Sequence, residues 1–145
     1  MAEEAYVLPA YQFEVSWGGA LGGFSEVSGL NMETDVIEYR NGMEKSRAVK
    51  KLSGLRKFSN ITLKRGFLKG DNDFFKWFGA TKQEKPERRD MTISLLDETN
   101  KPIVTWKITA AWPNKIEGPS FNAKNSEVAI ESMEVVSEWV ELENS

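Results

Sequence analysis

The residue types that carry most enzymatic chemistry are missing from this chain. Among 145 residues there is no His and no Cys, which removes the usual triad base, the commonest metal ligand and the thiolate nucleophile. Carboxylates, amines and hydroxyls remain. Glu127, Glu131, Glu134 and Glu138 offer paired carboxylates of the kind glycoside hydrolysis needs, but their spacing on an extended segment reads as the solvated face of a strand. Asp71-Asn72-Asp73 opens like a calcium loop, yet Lys76 and Lys82 stand where that loop needs its Gly and its closing Glu, so it reads as a helix cap. Gly18, Gly19, Gly22 and Gly23 lack the G-x-G-x-x-G spacing, and no Gly-Lys-Ser/Thr follows them; they read as a turn. Asn60-Ile61-Thr62 fits a glycosylation sequon, which carries no weight without a secretion signal. No base clusters with a Ser, Lys or Tyr to activate it. The expectation is a protein that is not an enzyme, with no cofactor, no metal site and no small-molecule substrate.

The composition is that of an ordinary globular chain, 40% hydrophobic and 28% charged. A chain of this length buries roughly 68% of its unfolded surface and needs no disulfide or metal to hold a core. One domain over residues 1–145 is expected. The start, Met1-Ala2-Glu3-Glu4, is acidic where a secretory signal is basic, and no apolar run approaches the roughly 18 residues of a membrane span. Synthesis in the bacterial cytoplasm, without membrane insertion by a hydrophobic segment, is the expectation.

Charge is segregated along the chain. Residues 1–39 carry −7, residues 40–89 carry +10 and residues 90–145 carry −6, for a net −3. The flanking acid argues against a nucleic-acid footprint and for self-complementarity. Either the basic block folds against its own acidic flanks, or it lies on the acidic surface of another copy and sets register there.

The elements that must position these charges are mostly strands. Phe13, Val15 and Trp17 alternate with polar residues, as do Ile61–Arg65 and Met91–Leu95. Residues 24–27 and 32–39 read as strands joined through Ser28-Gly29, and Asn41-Gly42 marks a turn. Val104, Trp106, Ile108, Ala110 and Trp112 share one parity after a hairpin connection at Asp97–Pro102. Val128 and Ile130 lie on one parity and Met133, Val135 and Trp139 on the other, which predicts a bulge near Ser132. A short helix is predicted over Asp71–Gly79, with Asp71 as cap, Phe74, Trp77 and Phe78 as the stripe that docks on a sheet, and Gly79 as a left-handed stop. The fold class is therefore mainly β: a closed or sandwiched antiparallel β-structure carrying one short helix.

Residues 43–58 show no clean periodicity. Arg40, Asn41, Gly42, Lys45, Arg47, Lys50, Lys51, Arg56 and Lys57 place charge and a turn there, with Leu52, Gly54 and Leu55 among them. A loop this long without structure of its own is uncommon unless it is functional or disordered. The functional reading is an arm whose apolar residues anchor on a neighbouring subunit and whose basic residues orient it.

Several motifs stand in one order: GFSEVSGL (Gly23–Leu30), EYRNG (Glu38–Gly42), GLRKFSNITLKRG (Gly54–Gly66), DFFKWF (Asp73–Phe78), ISLLDE (Ile93–Glu98), W-x-x-x-x-A-W-P (Trp106–Pro113), GPSFNA (Gly118–Ala123) and SEVAIES (Ser126–Ser132). Together they resemble the tail-tube proteins of contractile phages, and above all the inner-tube proteins of phage-derived extracellular contractile injection systems. The resemblance spans roughly residues 10–140 and implies the phage tail-tube fold, an antiparallel β-barrel or sandwich of two packed sheets with one short flanking α-helix, with copies closing into homohexameric rings that stack as a hollow tube. It implies sheath, baseplate and cap or terminator proteins as partners, and protein cargo in the lumen, or DNA in a phage. It also implies an extracellular or cell-associated particle whose sheath drives the tube through a target envelope. In that family the segment after E-Y-R-N-G contacts adjoining subunits, which corresponds to Asn41–Phe58. Ser53 departs from the Pro that many relatives carry before this Gly. The alternatives are the tail tube of an infectious phage conducting DNA, and a monomeric module whose basic arm grips an acidic partner. The lumen-facing residues are unknown at this stage, because a one-residue change of register inverts every face.

Overall fold

A computed structural model of the chain describes residues 7–18, 23–43, 48–67, 69–81, 87–124 and 128–144. Its strands are β1 (Phe13–Ser16), β2 (Glu26–Ser28), β3 (Met32–Tyr39), β4 (Lys50–Phe58), β5 (Ile61–Gly66), β6 (Arg89–Leu96), β7 (Pro102–Glu117), β8 (Ile130–Val136) and β9 (Trp139–Asn144), with one helix, α1 (Asp73–Ala80), among the described residues. All pairings are antiparallel. The main sheet runs β1-β6-β7-β8-β5-β2, with β9 also on β7, and β3 and β4 form a separate two-stranded sheet. The mainly β class with one helix is borne out.

β7 is long enough to serve two half-sheets. Residues 104–109 pair with β9 and, over much the same stretch, with β6, while residues 112–117 pair with β8. The change of partner happens at Ala110, whose φ is 55°. There the register jumps from Arg89↔Ala111 to Met91↔Ile108, so β7 has an extra residue opposite Asp90. The Asp90 carboxylate accepts the Ala110 N–H at 3.0 Å and holds the bulge. A bulge bends and re-aims a strand. Val104 and Ile108 are buried before it, Ala111 and Pro113 after it. Trp106 and Trp112 therefore do not share a face, against the simple alternation expected from the sequence.

Inside lie Val15, Trp17, Ile61, Leu63, Met91, Ile93, Ile108, Ala111, Met133, Val135 and Val140, closed on one side by Phe74 and Trp77 of α1. Trp17 meets Phe74 edge-on at 5.1 Å between centroids and Trp77 at 5.7 Å. The helix follows expectation in position but not at its ends. The residue before it, Asn72, makes no side-chain cap; Asp71 instead accepts the Asp73 N–H at 3.0 Å. Gly79 is an ordinary helical residue, and the chain leaves the helix at the extended Thr81, whose hydroxyl bonds to the Trp77 carbonyl at 3.1 Å. Phe78 is 39% exposed and contributes little to docking, unlike the buried Phe74 and Trp77.

β8 keeps one parity from Glu131 through Val135 and has no bulge near Ser132. The extra residue is Asn114 on β7, between Pro113↔Val135 and Lys115↔Glu134. Val128 and Ile130 are exposed.

Gly29 sets the angle at which the β3–β4 hairpin leaves the barrel. Its φ is +92°, and a Cβ there would lie 2.1 Å from the Asn60 carbonyl oxygen. Ser59, at the other side of the crossing, donates its hydroxyl to the Gly29 carbonyl at 2.6 Å and its N–H to the Asn31 carbonyl at 3.1 Å. Gly29→Ala is expected to cost at least about 2 kcal/mol, from the left-handed backbone and a clash with main chain that has no rotamer to yield. The midpoint of chemical denaturation measures this; an unchanged midpoint would contradict the packing of this crossing.

Candidate functional site

The segment expected to be an unstructured arm is a β-hairpin. Arg40, Asn41 and Gly42 lie at its tip, and Lys50, Lys51, Leu52, Gly54, Leu55, Arg56 and Lys57 lie on β4; Lys45 and Arg47 fall outside the described residues. Cross-strand charge explains the pairing: Glu33 faces Lys57 and Glu38 faces Lys51. Lys57 Nζ stands 3.0 Å from Asp35 Oδ1, and that hydrogen bond raises the Lys57 pKa. Part of the charge segregation along the sequence is thus resolved within one chain. A bulge hid the periodicity, since Thr34 faces Arg56 but Val36 faces Ser53, leaving Gly54 and Leu55 opposite Asp35.

The hairpin is exposed on both faces. Met32, Val36, Ile37, Tyr39, Leu52 and Leu55 are all more than half accessible, Leu55 at 78%. An isolated two-stranded hairpin is marginal in water, and a cluster of exposed apolar side chains marks an interaction surface. At its base the hairpin rests on Trp139. Phe58 meets that ring edge-on at 5.1 Å and the Arg56 guanidinium lies 5.5 Å from its centroid. Trp139 had been grouped by parity with the core residues Met133 and Val135; it is instead a surface seat for the arm, 41% exposed.

Behind the arm, the core contains a cation that sequence reasoning did not single out. Arg65 is 0% exposed. Its Nε donates to Glu131 Oε1 at 2.5 Å, and its two terminal nitrogens grip Asp71 at 3.0 and 3.2 Å. Its guanidinium stacks 4.1 Å from the Phe74 centroid. Burying a charge is tolerable only when it is paired and its donors are satisfied, and bidentate carboxylate pairing satisfies several at once. The Asp73 N–H holds the Asp71 carboxyl below the usual aspartate range; burial opposes it, and the Arg65 hydrogen bond and charge add to the lowering. The signal in the sequence was parity: Arg65 continues the inward series Ile61, Leu63. Glu131 was expected on a solvated face and is 8% exposed; it faces inward because Arg65 needs it.

The candidate glycosidase carboxylates are not brought together. Glu131 is committed to Arg65, Glu134 accepts from Asn60 at 2.6 Å and Glu138 pairs with Arg88; Glu127 lies outside the described residues. The turn at Asp97 is internally bonded, with Oδ1 accepting from the Thr99 and Lys101 N–H groups at 2.8 and 2.9 Å. Among the described residues no three carboxylates gather as a metal site, and no helix is long and apolar enough to cross a membrane.

The fold is an antiparallel β-structure with an exposed, apolar and charge-studded hairpin standing off it. The comparisons give the family: the chain belongs to the T4-like virus tail tube protein gp19 family, whose model matches residues 9–141. It is 31% identical to a chain of the PVC sheath-tube complex of an extracellular contractile injection system in the extended state, covering 97% of this chain and 93% of that one, with a TM-score of 0.88. Against a chain of the anti-feeding prophage tube-terminating cap the identity is also 31%, over 100% and 96% of the two chains, with a TM-score of 0.90. Hcp1 from Flavobacterium johnsoniae shares the fold at 13% identity and a TM-score of 0.58, over 92% and 95%. No curated protein sequence matches.

Asp71→Asn is expected to destabilise the chain by about 3 kcal/mol at neutral pH, the order found when one partner of a buried ion pair is removed. Because folding lowers the Asp71 pKa, the stabilisation is fully present above the ordinary aspartate range and is lost as pH falls through the folded value. The gap between wild type and D71N in denaturation midpoint should therefore close in acid. A gap independent of pH would contradict the ionised pairing.

Proposed function

We propose that this chain is the inner-tube subunit of a contractile injection system. Copies close into homohexameric rings, the rings stack into a hollow tube, and contraction of a surrounding sheath drives the tube through a target envelope with its protein cargo. The observation that carries this reading is the near full-length match to a chain of a sheath-tube complex, at an identity above the level where only the fold is shared. Sheath, baseplate and terminating-cap proteins are the proposed partners, in line with the assemblies in which the similar chains were solved. The role is structural and not catalytic.

The arm residues, Arg40–Gly42 and Lys50–Lys57 with Lys45 and Arg47, are proposed to contact the next subunit. The register supports a head-to-tail contact. The arm leaves the barrel beside Trp139, which pairs with Thr109, whereas the other end of that ladder is Asn144 paired with Val104. Five residues of strand separate them, about 17 Å. The far end carries a groove of about 560 Å³ lined by Val7, Leu8, Tyr11, Leu96 and Ile103, with Asp97 and Glu98 on its lip. Apolar residues with lysines on one end and an apolar groove with carboxylates on the other are unlike, complementary surfaces. Heterologous contacts of this kind close into rings or propagate along an axis. Assembly also covers the free edges of β1, β2 and the hairpin, which would otherwise template aggregation.

The viral family model favours a second reading, the tail tube of an infectious phage with DNA in the lumen. Capsid and terminase genes beside this one would select the phage; toxins and an ATPase without a capsid would select the injection system.

Leu55→Asp changes a side chain that is 78% accessible, so thermal stability should stay within about 0.5 kcal/mol, whereas the pair Lys50→Glu, Lys51→Glu also sets a carboxylate opposite Glu38 and is expected to loosen the hairpin itself. Negative-stain microscopy of wild type is expected to show rings or tubes and of either variant to show none. Tubes of normal length from both variants would remove the arm from the interface.

A further inference from the structure

The tip of the arm holds a chemistry that a tube wall does not use. Asn41 is followed by Gly42, and no other asparagine in the chain precedes a glycine. Both residues are exposed. Asn41 Oδ1 accepts the Met43 N–H at 3.0 Å, an Asx turn that folds the side-chain amide back along the backbone past Gly42. Among the described residues a Cβ on Gly42 would meet nothing within 4 Å, and Asn41, Gly42 and Met43 are all exposed. The Met43 N–H is also aimed at the oxygen that becomes negative when a nucleophile adds to Cγ, and a donor placed there stabilises the developing charge.

We propose that Asn41 is a site of spontaneous deamidation, a built-in modification site at the tip of the arm. The Gly42 peptide nitrogen loses its proton to solvent base and attacks Asn41 Cγ. The new N–Cγ bond closes a succinimide ring, the Cγ–Nδ2 bond breaks, and ammonia leaves with a proton from solvent. Water then opens the ring at either carbonyl, giving aspartate or isoaspartate. The net change is NH2 for OH, with no oxidant or reductant. Each event adds a negative charge beside Arg40, and the isoaspartate route also lengthens the backbone in the connection from β3 to β4. If the arm contacts the next subunit, as proposed above, a free subunit carries this exposed site while an assembled one shields it, so the modification marks chains that have waited unassembled.

The test incubates the full chain at mildly alkaline pH and follows intact mass, then fragments the peptide containing residues 41 and 42. The expected result is the NH2-to-OH mass gain at Asn41, as a mixture of aspartate and isoaspartate, accelerating as pH rises. Gly42 has an ordinary backbone conformation and open surroundings, so Gly42→Ala keeps the turn. Its methyl crowds the attacking nitrogen and should slow the gain by roughly tenfold or more, as expected when a near-attack geometry is disturbed. An Asn41 that stays intact in the folded chain while deamidating in urea would overturn the proposal, as would a gain that maps to other asparagines. Tubes and free subunits are then compared: protection in tubes supports both readings, equal modification keeps the site but removes the tip from the contact, and modification in neither overturns the site.

Discussion

Arg65 is the constraint around which the barrel is arranged. A guanidinium with no exposed surface must find its partners inside, and it finds them on different elements: Glu131 from β8, Asp71 at the start of α1, and the Phe74 face from within the helix. Trp17 and Phe24 flank it more distantly, at 5.7 and 6.0 Å. Breaking any one of these contacts leaves a charge in the core, where removal of a partner is far more costly than the pair is beneficial. A helix of two turns has no stability of its own. The bidentate grip on Asp71, which also accepts the first helical N–H, is what fixes where α1 begins and which side of it, Phe74 and Trp77, closes the core.

That rigid centre contrasts with the hairpin, which has almost no interior. Its hold on the barrel is small: Trp139 under Phe58 and Arg56, Ser59 across the crossing, and Gly29 admitting the Asn60 carbonyl where any side chain would collide. These contacts fix direction more than they add stability. Eight-residue and nine-residue strands bearing exposed Val36, Ile37, Leu52 and Leu55 make sense when another surface completes them. The cross-strand charge pairs hold the two strands in register, and the apolar residues stay exposed.

The sequence was legible wherever alternation ran unbroken and one face was buried. β1, β5 and β6 fall where period two placed them, β3 fills the stretch read as a strand over 32–39 although neither of its faces is buried, and Asn41-Gly42 and Asp97–Pro102 are turns. It failed where a single residue was inserted. Ala110 and Asn114 on β7 and the Gly54-Leu55 bulge on β4 each shift parity by one; Gly54, a glycine inside a strand, is the local mark of the last. It also failed where polar residues were taken as surface by type. Arg65 and Glu131 sit on inward positions of paired strands, and recognising one would have required knowing that the other lay opposite, at Arg65↔Glu131 in the ladder. Phe78 and Trp139 erred the other way, as aromatics assigned inward that stand half exposed. The family resemblance covered what periodicity could not: it marked out as one segment the residues that the bare pattern left without structure, and β4 lies within it.

The central claim is that this chain is a subunit of a self-assembling tube. The most direct test is the mass and negative-stain appearance of the purified wild-type chain at moderate and high salt, alone and with preformed tube ends to nucleate growth. The account predicts hexameric rings that stack into hollow tubes. A chain that remains monomeric under all these conditions, with nucleating ends present, would contradict it.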